Sequence, residues 1–406
     1  MKRVALLCMG LVLGAATAAE AQLTMQMSNG WSFTFAGNVN AFATYETFSE
    51  DGETAGVLVP AAGESETRIR TGLLPAFAVF DAKGKEGNTD LGVHFGFAPQ
   101  IQCGTGVHDC FGAQIDMRQV FLTVGGGWGQ ILAGRELGLF GRQNILTDQT
   151  LFGVGGTGSA GLPSADVDGG TGGGTTLGRI GFGYNYPQFK AQMTYSTAAG
   201  RPLQLSIGLF EAASNGPYTK VEIPRVEAEA VWTSSNGNTK LWAGGTAQTN
   251  KNLTNDETAS SYGASGGVRF GGARFSLTGS GFVGQGIGTT LMFNGGTCDP
   301  LVVAGCGGGG SDDLRTSYGF IGQATFTPTD SKLTLAASYG SNYLEGSDVE
   351  PDFKIENTLI SGGLYYQATK SLKVVGEVNY AMGKDDVDAT EDNTSFAPAF
   401  GLMLFF

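Results

Sequence analysis

Two sets of charged side chains are the part of this sequence best able to act on other molecules. Arg68, Arg70, Arg118, Arg135 and Arg179 lie in or beside segments of alternating character. Arg68 and Arg70 are opposite in phase to Ile69 and Thr71, Arg179 to Ile180 and Phe182, and Arg118 is in phase with Gln114 and Asp116. Glu136, Asp148, Asp166 and Asp168 fall in one long polar stretch. Guanidiniums facing carboxylates across a hydrated space create a transverse field, which orients polar solutes without making bonds. Arginine suits such a wall because it stays charged and tolerates close like neighbours when stacked and hydrated.

The strings that resemble catalytic motifs lack their context. Gly153, Gly155 and Gly158 match G-x-G-x-x-G, but no strand-turn-helix unit surrounds them. Gly263-Ala264-Ser265-Gly266-Gly267 matches G-x-S-x-G inside a strand pattern, without the helix that must follow a nucleophile elbow. His94 and His108 are the two imidazoles, and neither has a fitting serine partner. Asp166 and Asp168 are two carboxylates where calcium needs a fuller oxygen set. No catalytic residue, cofactor or metal site is therefore expected.

Cysteines and charge narrow the class further. Cys103 with Cys110, and Cys298 with Cys306, form two close pairs, wider than usual zinc spacings. Four cysteines permit three connectivities, and the two local disulfides are expected in an exported chain. Export is indicated by Lys2 and Arg3, the apolar run Val4–Ala16, and the small-x-small site Ala19-Glu20-Ala21. This is the layout of a signal peptide over 1–21, with the mature barrel over 22–406. The 406-residue chain carries a net charge of −13, and losing Lys2, Arg3 and Glu20 leaves −14. No basic stripe exists to neutralise phosphates, so nucleic acid is excluded as a partner.

The elements that would position these charges read as strands. Glycine is the commonest punctuation, with 67 residues, over twice the usual ~7%. Trp31, Phe33, Phe35, Val39, Ala41, Ala43 and Tyr45 share one parity; Ser32, Thr34, Asn38, Asn40, Thr44 and Glu46 occupy the other. Segment 67–82 places Ile69, Thr71, Leu73, Phe77 and Val79 on one face, and Leu91, Val93, Phe95 and Phe97 continue the pattern. Short connections such as 83–88, 125–128 and 234–238 alternate strictly with long polar ones such as 49–66, 102–112, 136–177 and 287–314. That alternation predicts an all-β, antiparallel, up-and-down transmembrane barrel in an outer membrane, with external loops and tight periplasmic turns. Reading 178–197 as one strand bulged at Pro187, with Phe182, Tyr184 and Tyr186 outward, gives sixteen strands. Trp128, Trp232, Trp242, Tyr365, Tyr366 and Phe405 suit interfacial girdles.

On the signal peptide, the loop-turn alternation, the run GRELGLFGRQNIL and a last alternating strand ending in Phe406, the chain resembles the general porins of Gram-negative bacteria. The resemblance implies a sixteen-stranded homotrimer whose long third loop folds into the lumen. It implies that Arg68, Arg70, Arg118, Arg135 and Arg179 form the basic wall of the constriction, opposite Glu136, Asp148, Asp166 and Asp168 on the loop. Phe400, Leu402, Leu404 and Phe406 resemble the signal read by the outer-membrane assembly machinery. The implied activity is passive diffusion of small hydrophilic solutes and ions through a cell outer membrane, with lipid around the barrel. The competing readings are a substrate-specific channel, an adhesin and a membrane hydrolase.

Overall fold

Alternating polar and apolar side chains bury one face of a strand and leave the other apolar, so a sheet of them must separate two environments. The computed structural model describes residues 23–49, 58, 65–99, 101, 115–158, 175–385 and 393–406. Its sixteen wall strands begin with β1 (Ser32–Phe48) and β2, which is broken into Glu66–Arg70 and Phe77–Glu86. β3 (Thr89–Pro99), β4 (Ile115–Gly126), β5 (Gly129–Leu137), β6 (Phe189–Ser196) and β7 (Leu203–Phe210) follow. β8 (Arg225–Thr233), β9 (Thr239–Lys251), β10 (Thr258–Gly271), β11 (Phe275–Gln285) and β12 (Thr316–Phe326) continue the wall. It ends with β13 (Leu333–Glu345), β14 (Lys354–Gln367), β15 (Leu372–Asp385) and β16 (Asn393–Phe405). A short strand, Leu23–Gln26, pairs with Ser32–Phe35, and Lys220–Val221 pairs with the end of β9.

Each wall strand pairs antiparallel with the next, and β16 pairs antiparallel with β1, from Phe405 opposite Asn38 to Ser395 opposite Phe48. Phe406 completes the seam: its N–H donates to the Gly37 carbonyl at 3.0 Å, and the Gly37 N–H donates to the Phe406 carbonyl at 2.8 Å. The sheet is thus a ring without an edge, the condition for strands to cross lipid. Along β16, Phe396, Phe400, Leu402 and Leu404 are exposed on the outside, while Ser395, Ala397, Ala399 and Met403 are buried inside. Outward Val93, Phe95, Met193, Ile207, Val283 and Ile360 extend the apolar belt around the ring.

Three expectations are corrected. Residues 71–76 interrupt β2 and reverse its phase, so Ile69 faces out while Thr71, Leu73, Phe77 and Val79 are buried within. Pro75 lacks an N–H for the ladder. In its stead the Asn38 amide donates to the Pro75 carbonyl at 2.9 Å, and the Asn40 amide to the Leu74 carbonyl at 2.9 Å. Second, strand six is only Phe189–Ser196, and the third long connection runs over 138–188 rather than 136–177. Gly178 and Gly181 take φ of 57° and 80°, which ends any extended run. Phe182, Tyr184 and Tyr186 are consequently buried with Leu58, Leu73 and Leu359 instead of facing out. Third, Trp128, Trp232 and Tyr366 are exposed on the outside as girdle residues require, whereas Trp242, Tyr365 and Phe405 point inward.

Leu402 tests the orientation of the last strand. Leu402→Arg is expected to destabilise the inserted barrel by about 2–4 kcal/mol, the cost of arginine near the bilayer midplane. Reversible denaturant titration in lipid vesicles measures it; a loss below about 0.5 kcal/mol, ordinary for a wetted surface, contradicts a lipid-facing Leu402.

Candidate functional site

The inner wall is where these strands present polar groups, and its carboxylates hold the 138–188 connection. β8 alternates Glu227 and Glu229 inward with Val226, Ala228 and Ala230. A Glu227 carboxylate oxygen accepts two successive backbone donors, Leu139 N–H at 2.6 Å and Phe140 N–H at 3.0 Å. Glu229 pairs with Arg142 and accepts from the Gln143 amide at 2.9 Å, at the start of helix α1 (Arg142–Thr147). Across the ring, Glu377 of β15 repeats the double acceptance, from Val154 N–H at 2.7 Å and Gly155 N–H at 3.0 Å. Tyr365 donates its hydroxyl to the same carboxylate. A Cβ on Gly153 would stand 2.0 Å from a Glu377 oxygen, so a larger residue here displaces this carboxylate from its place.

Other wall strands complete the attachment. Trp242 Nε1 of β9 donates to Asn144 at 2.8 Å, Gln323 of β12 accepts from Gln149 N–H at 2.7 Å, and Thr157 donates to Glu46 of β1 at 2.7 Å. These contacts tie the connection to β1, β8, β9, β12 and β15, and two arginines described below add β2, β13 and β14. Buried donors cost about 1–3 kcal/mol each when left unmet, so these acceptors fix the path of the chain.

The arginines of the expected wall divide. Arg68 and Arg70 face inward on the first piece of β2; Arg68 pairs with Glu66, and Arg70 donates to the Thr175 carbonyl at 3.1 Å. Arg118 is inward at an irregularity of β4, its guanidinium 6.0 Å from the Phe189 ring centroid. Arg135 is not a wall residue: it is exposed on the outer face opposite Ala191, because Glu136 takes the inward phase at that point of β5. Nor is Arg179 on a wall strand. It sits on the connection and reaches across to β13 and β14, donating to Ser338 O at 2.7 Å, Ser338 Oγ at 3.0 Å and Leu359 O at 2.7 Å.

Two of the expected loop carboxylates are committed locally. Glu136 belongs to β5 and accepts from Gln119 Nε2 at 2.9 Å and Leu137 N–H at 2.7 Å. Asp148 accepts from Thr150 N–H at 2.8 Å and the Tyr184 hydroxyl at 2.7 Å, with no solvent-facing role. Asp166, Asp168, Cys103, Cys110 and His108 lie outside the described residues. His94 faces Asp81 with Nδ1 3.0 Å from a carboxylate oxygen and stacks on Phe121, a packed polar pair within the wall.

A second inward segment was not anticipated. Residues 287–294, between β11 and β12, bury Ile287, Met292 and Phe293 against Phe140 and Phe282. Thr290 O accepts from Tyr186 N–H at 2.8 Å and Thr289 O from the Asn342 amide at 2.6 Å. Arg225 lies between the Phe210 and Phe293 rings, 5.6 and 5.3 Å from their centroids, and pairs with Glu227 at 2.9 Å. The Cys298–Cys306 disulfide is formed, and Asp313 ties it down by accepting from Gly307 N–H at 2.8 Å. Tyr218 also donates to Asp313, and burial with this contact pushes its phenol above the ordinary range. Glu227, Glu229 and Glu377 were legible as inward by parity; the inward course of 287–294 has no such signal.

Between the connection and strands β2 to β4 lies a cavity of about 80 Å³, bordered by Leu74, Phe77, Ile145, Leu146, Arg118 and Gln119. The attached loop thus leaves space on the sector of the wall that carries the inward arginines. Residues 5–386 match the sequence pattern of a Gram-negative porin family. The chain belongs to that family. This porin is an outer-membrane channel for passive diffusion. No curated protein matches it significantly.

Solved structures support the fold at low identity. The outer-membrane channel DcaP of Acinetobacter baumannii superposes with a TM-score of 0.67 at 14% identity, over 94% of this chain and 99% of its own. An anion-selective porin from Comamonas acidovorans gives 0.60 at 13%, over 93% and 100%. Salmonella typhi OmpF gives 0.55 at 14%, over 95% and 100%.

Glu377→Ala removes the acceptor of Val154 and Gly155. Hydrogen exchange at these two amides is expected to accelerate about ten- to a hundred-fold, matching about 1–3 kcal/mol for unmet buried donors. Glu377→Gln keeps one acceptor oxygen and should fall between. Unchanged exchange in the alanine variant would remove this carboxylate from the loop's support.

Proposed function

We propose that the chain is a general diffusion porin whose narrowest passage runs between the 138–188 connection and the β2–β4 wall. The observation that carries the reading is the attachment of one connection to β1, β2, β8, β9 and β12 to β15 within a closed sixteen-stranded ring. A segment held so widely narrows the lumen without moving, which gives a permanently open path for small water-soluble solutes and ions. Transport of this kind needs no reacting group, so the chain works as a channel and not as an enzyme.

The polar donors in the passage are Arg118 and Gln119, with Arg68 and Arg70 further along the same inner wall. Residues 1–21 act as a signal peptide removed on export, leaving 22–406 as the barrel. The alternating face ending in Phe400, Leu402, Leu404 and Phe406 serves as the recognition strand for the outer-membrane assembly machinery. Three copies assemble as a homotrimer, as in the trimer form of the similarly folded OmpT of Vibrio cholerae.

Purified protein in a planar bilayer is expected to produce stepwise, ohmic current in potassium chloride, and cross-linking in detergent to stop at trimers. Folded protein that inserts but carries no current would move the chain to the adhesin or hydrolase class.

A further inference from the structure

The cavity beside the loop is unlike the rest of the polar inner wall. Among the described residues its border is apolar on β2, β3 and the connection, from Leu73, Leu74 and Phe77 to Ile145, Leu146 and Ile180. The polar side chains at its rim are those of Arg118, Gln119, Thr175 and Tyr186. The interruption of β2 explains the apolar side, because the reversed phase turns Leu73 and Phe77 inward. Leu146 contributes from α1, whose position Glu229 and Trp242 set through Arg142 and Asn144.

About 80 Å³ is room for several water molecules at roughly 10–15 Å³ each by the same measure. Water there finds few partners on the aliphatic side, so an apolar solute body displaces it with gain. Each methylene transferred from water favours occupancy by about four-fold. The charged rim sorts what else the solute carries. Arg118 presents a guanidinium, held beside the Phe189 ring, which matches a carboxylate in shape and sign. Glu136 stands directly behind the rim, gripping Gln119 Nε2 at 2.9 Å, and its charge opposes a second anionic group on the same solute.

We propose that this cavity is a solute subsite of the passage, selective for small organic monoanions with an apolar body, such as aromatic or branched aliphatic monocarboxylates. The carboxylate lies toward Arg118 and the body against Leu74, Phe77 and Leu146. The proposal rests on the channel reading above and narrows it to a solute class.

The test uses the full-length purified porin in planar bilayers at fixed ionic strength. Benzoate, acetate and isophthalate are added in turn, and the fractional fall of the potassium current is followed against concentration. Benzoate is expected to give a saturating fall at a concentration at least about ten-fold below acetate, within the worth of about two buried methylenes, and as far below isophthalate, whose second carboxylate meets the Glu136 charge. Arg118→Gln should raise the half-saturating benzoate concentration about ten-fold. Leu146→Asn should raise it several-fold while leaving the acetate response as it was, and it serves should the arginine variant fail to insert. Equal responses to benzoate and acetate, equal responses to benzoate and isophthalate, or neither variant shifting the benzoate curve, would each overturn the subsite. Absence of any potassium current in the unaltered protein would instead overturn the channel reading.

Discussion

Backbone donors and acceptors that leave water must be met, and that constraint organises both parts of this molecule. In the wall the ladders meet it, and the Gly37–Phe406 seam removes the last open edge. Inside the ring a long irregular connection faces the same demand without a ladder. Glu227 and Glu377 answer it on opposite sides, each receiving two consecutive N–H groups through one carboxylate oxygen. An anionic acceptor forms stronger bonds than a neutral one, so a few side chains suffice to hold a path through the lumen. Where the acceptors stand decides where the loop lies, and where the loop lies decides which wall remains open.

This changes how the charges should be understood. A field across a constriction needs charges that face water, yet many of the ionic groups inside this ring face one another. Glu229 is matched to Arg142, Glu227 to Arg225, and Arg179 spends its donors on Ser338 and a Leu359 carbonyl. These pairs work as fasteners. The groups bordering the open sector are fewer, and their neighbours are unexpectedly aliphatic. The proposed subsite accordingly assigns selectivity to Arg118 and Glu136 in an apolar setting rather than to opposed rows of charge.

The ring was readable because its rule is simple. Period-two alternation fixed most strands, and the alternation of short and long connections gave the count of sixteen. Reading failed where side-chain parity and backbone path part company. At 71–76 a proline and two asparagines from the adjacent strand substitute for the ladder, and the phase reverses unseen. At 178–187 the aromatic alternation suggests a strand, but glycines with positive φ turn the segment into the lumen, where its rings find burial. Arg179 follows the second of these departures into the lumen, whereas Arg135 shares the parity of outward Ile131 on β5 and faces out with it. Glu227, Glu229 and Glu377 follow the parity rule, which places them inward but carries no sign of the loop donors they accept. The inward course of 287–294 depends on contacts far apart in sequence, which no local pattern encodes.

The gap in β2 has a wider consequence. Gly72 N–H is met by Asn40 at 2.9 Å, Leu73 N–H by the Gly153 carbonyl at 3.0 Å, and the Gly72 carbonyl by Thr176 N–H at 3.3 Å. Wall and loop finish each other's hydrogen bonding at this place, and a Cβ on Gly72 would stand 2.2 Å from the Gly153 oxygen. The two stretches are thus structurally interdependent. A loop borrowed from another barrel would arrive without the partners that this wall lacks, so a transplanted loop has to bring its own 71–76 with it.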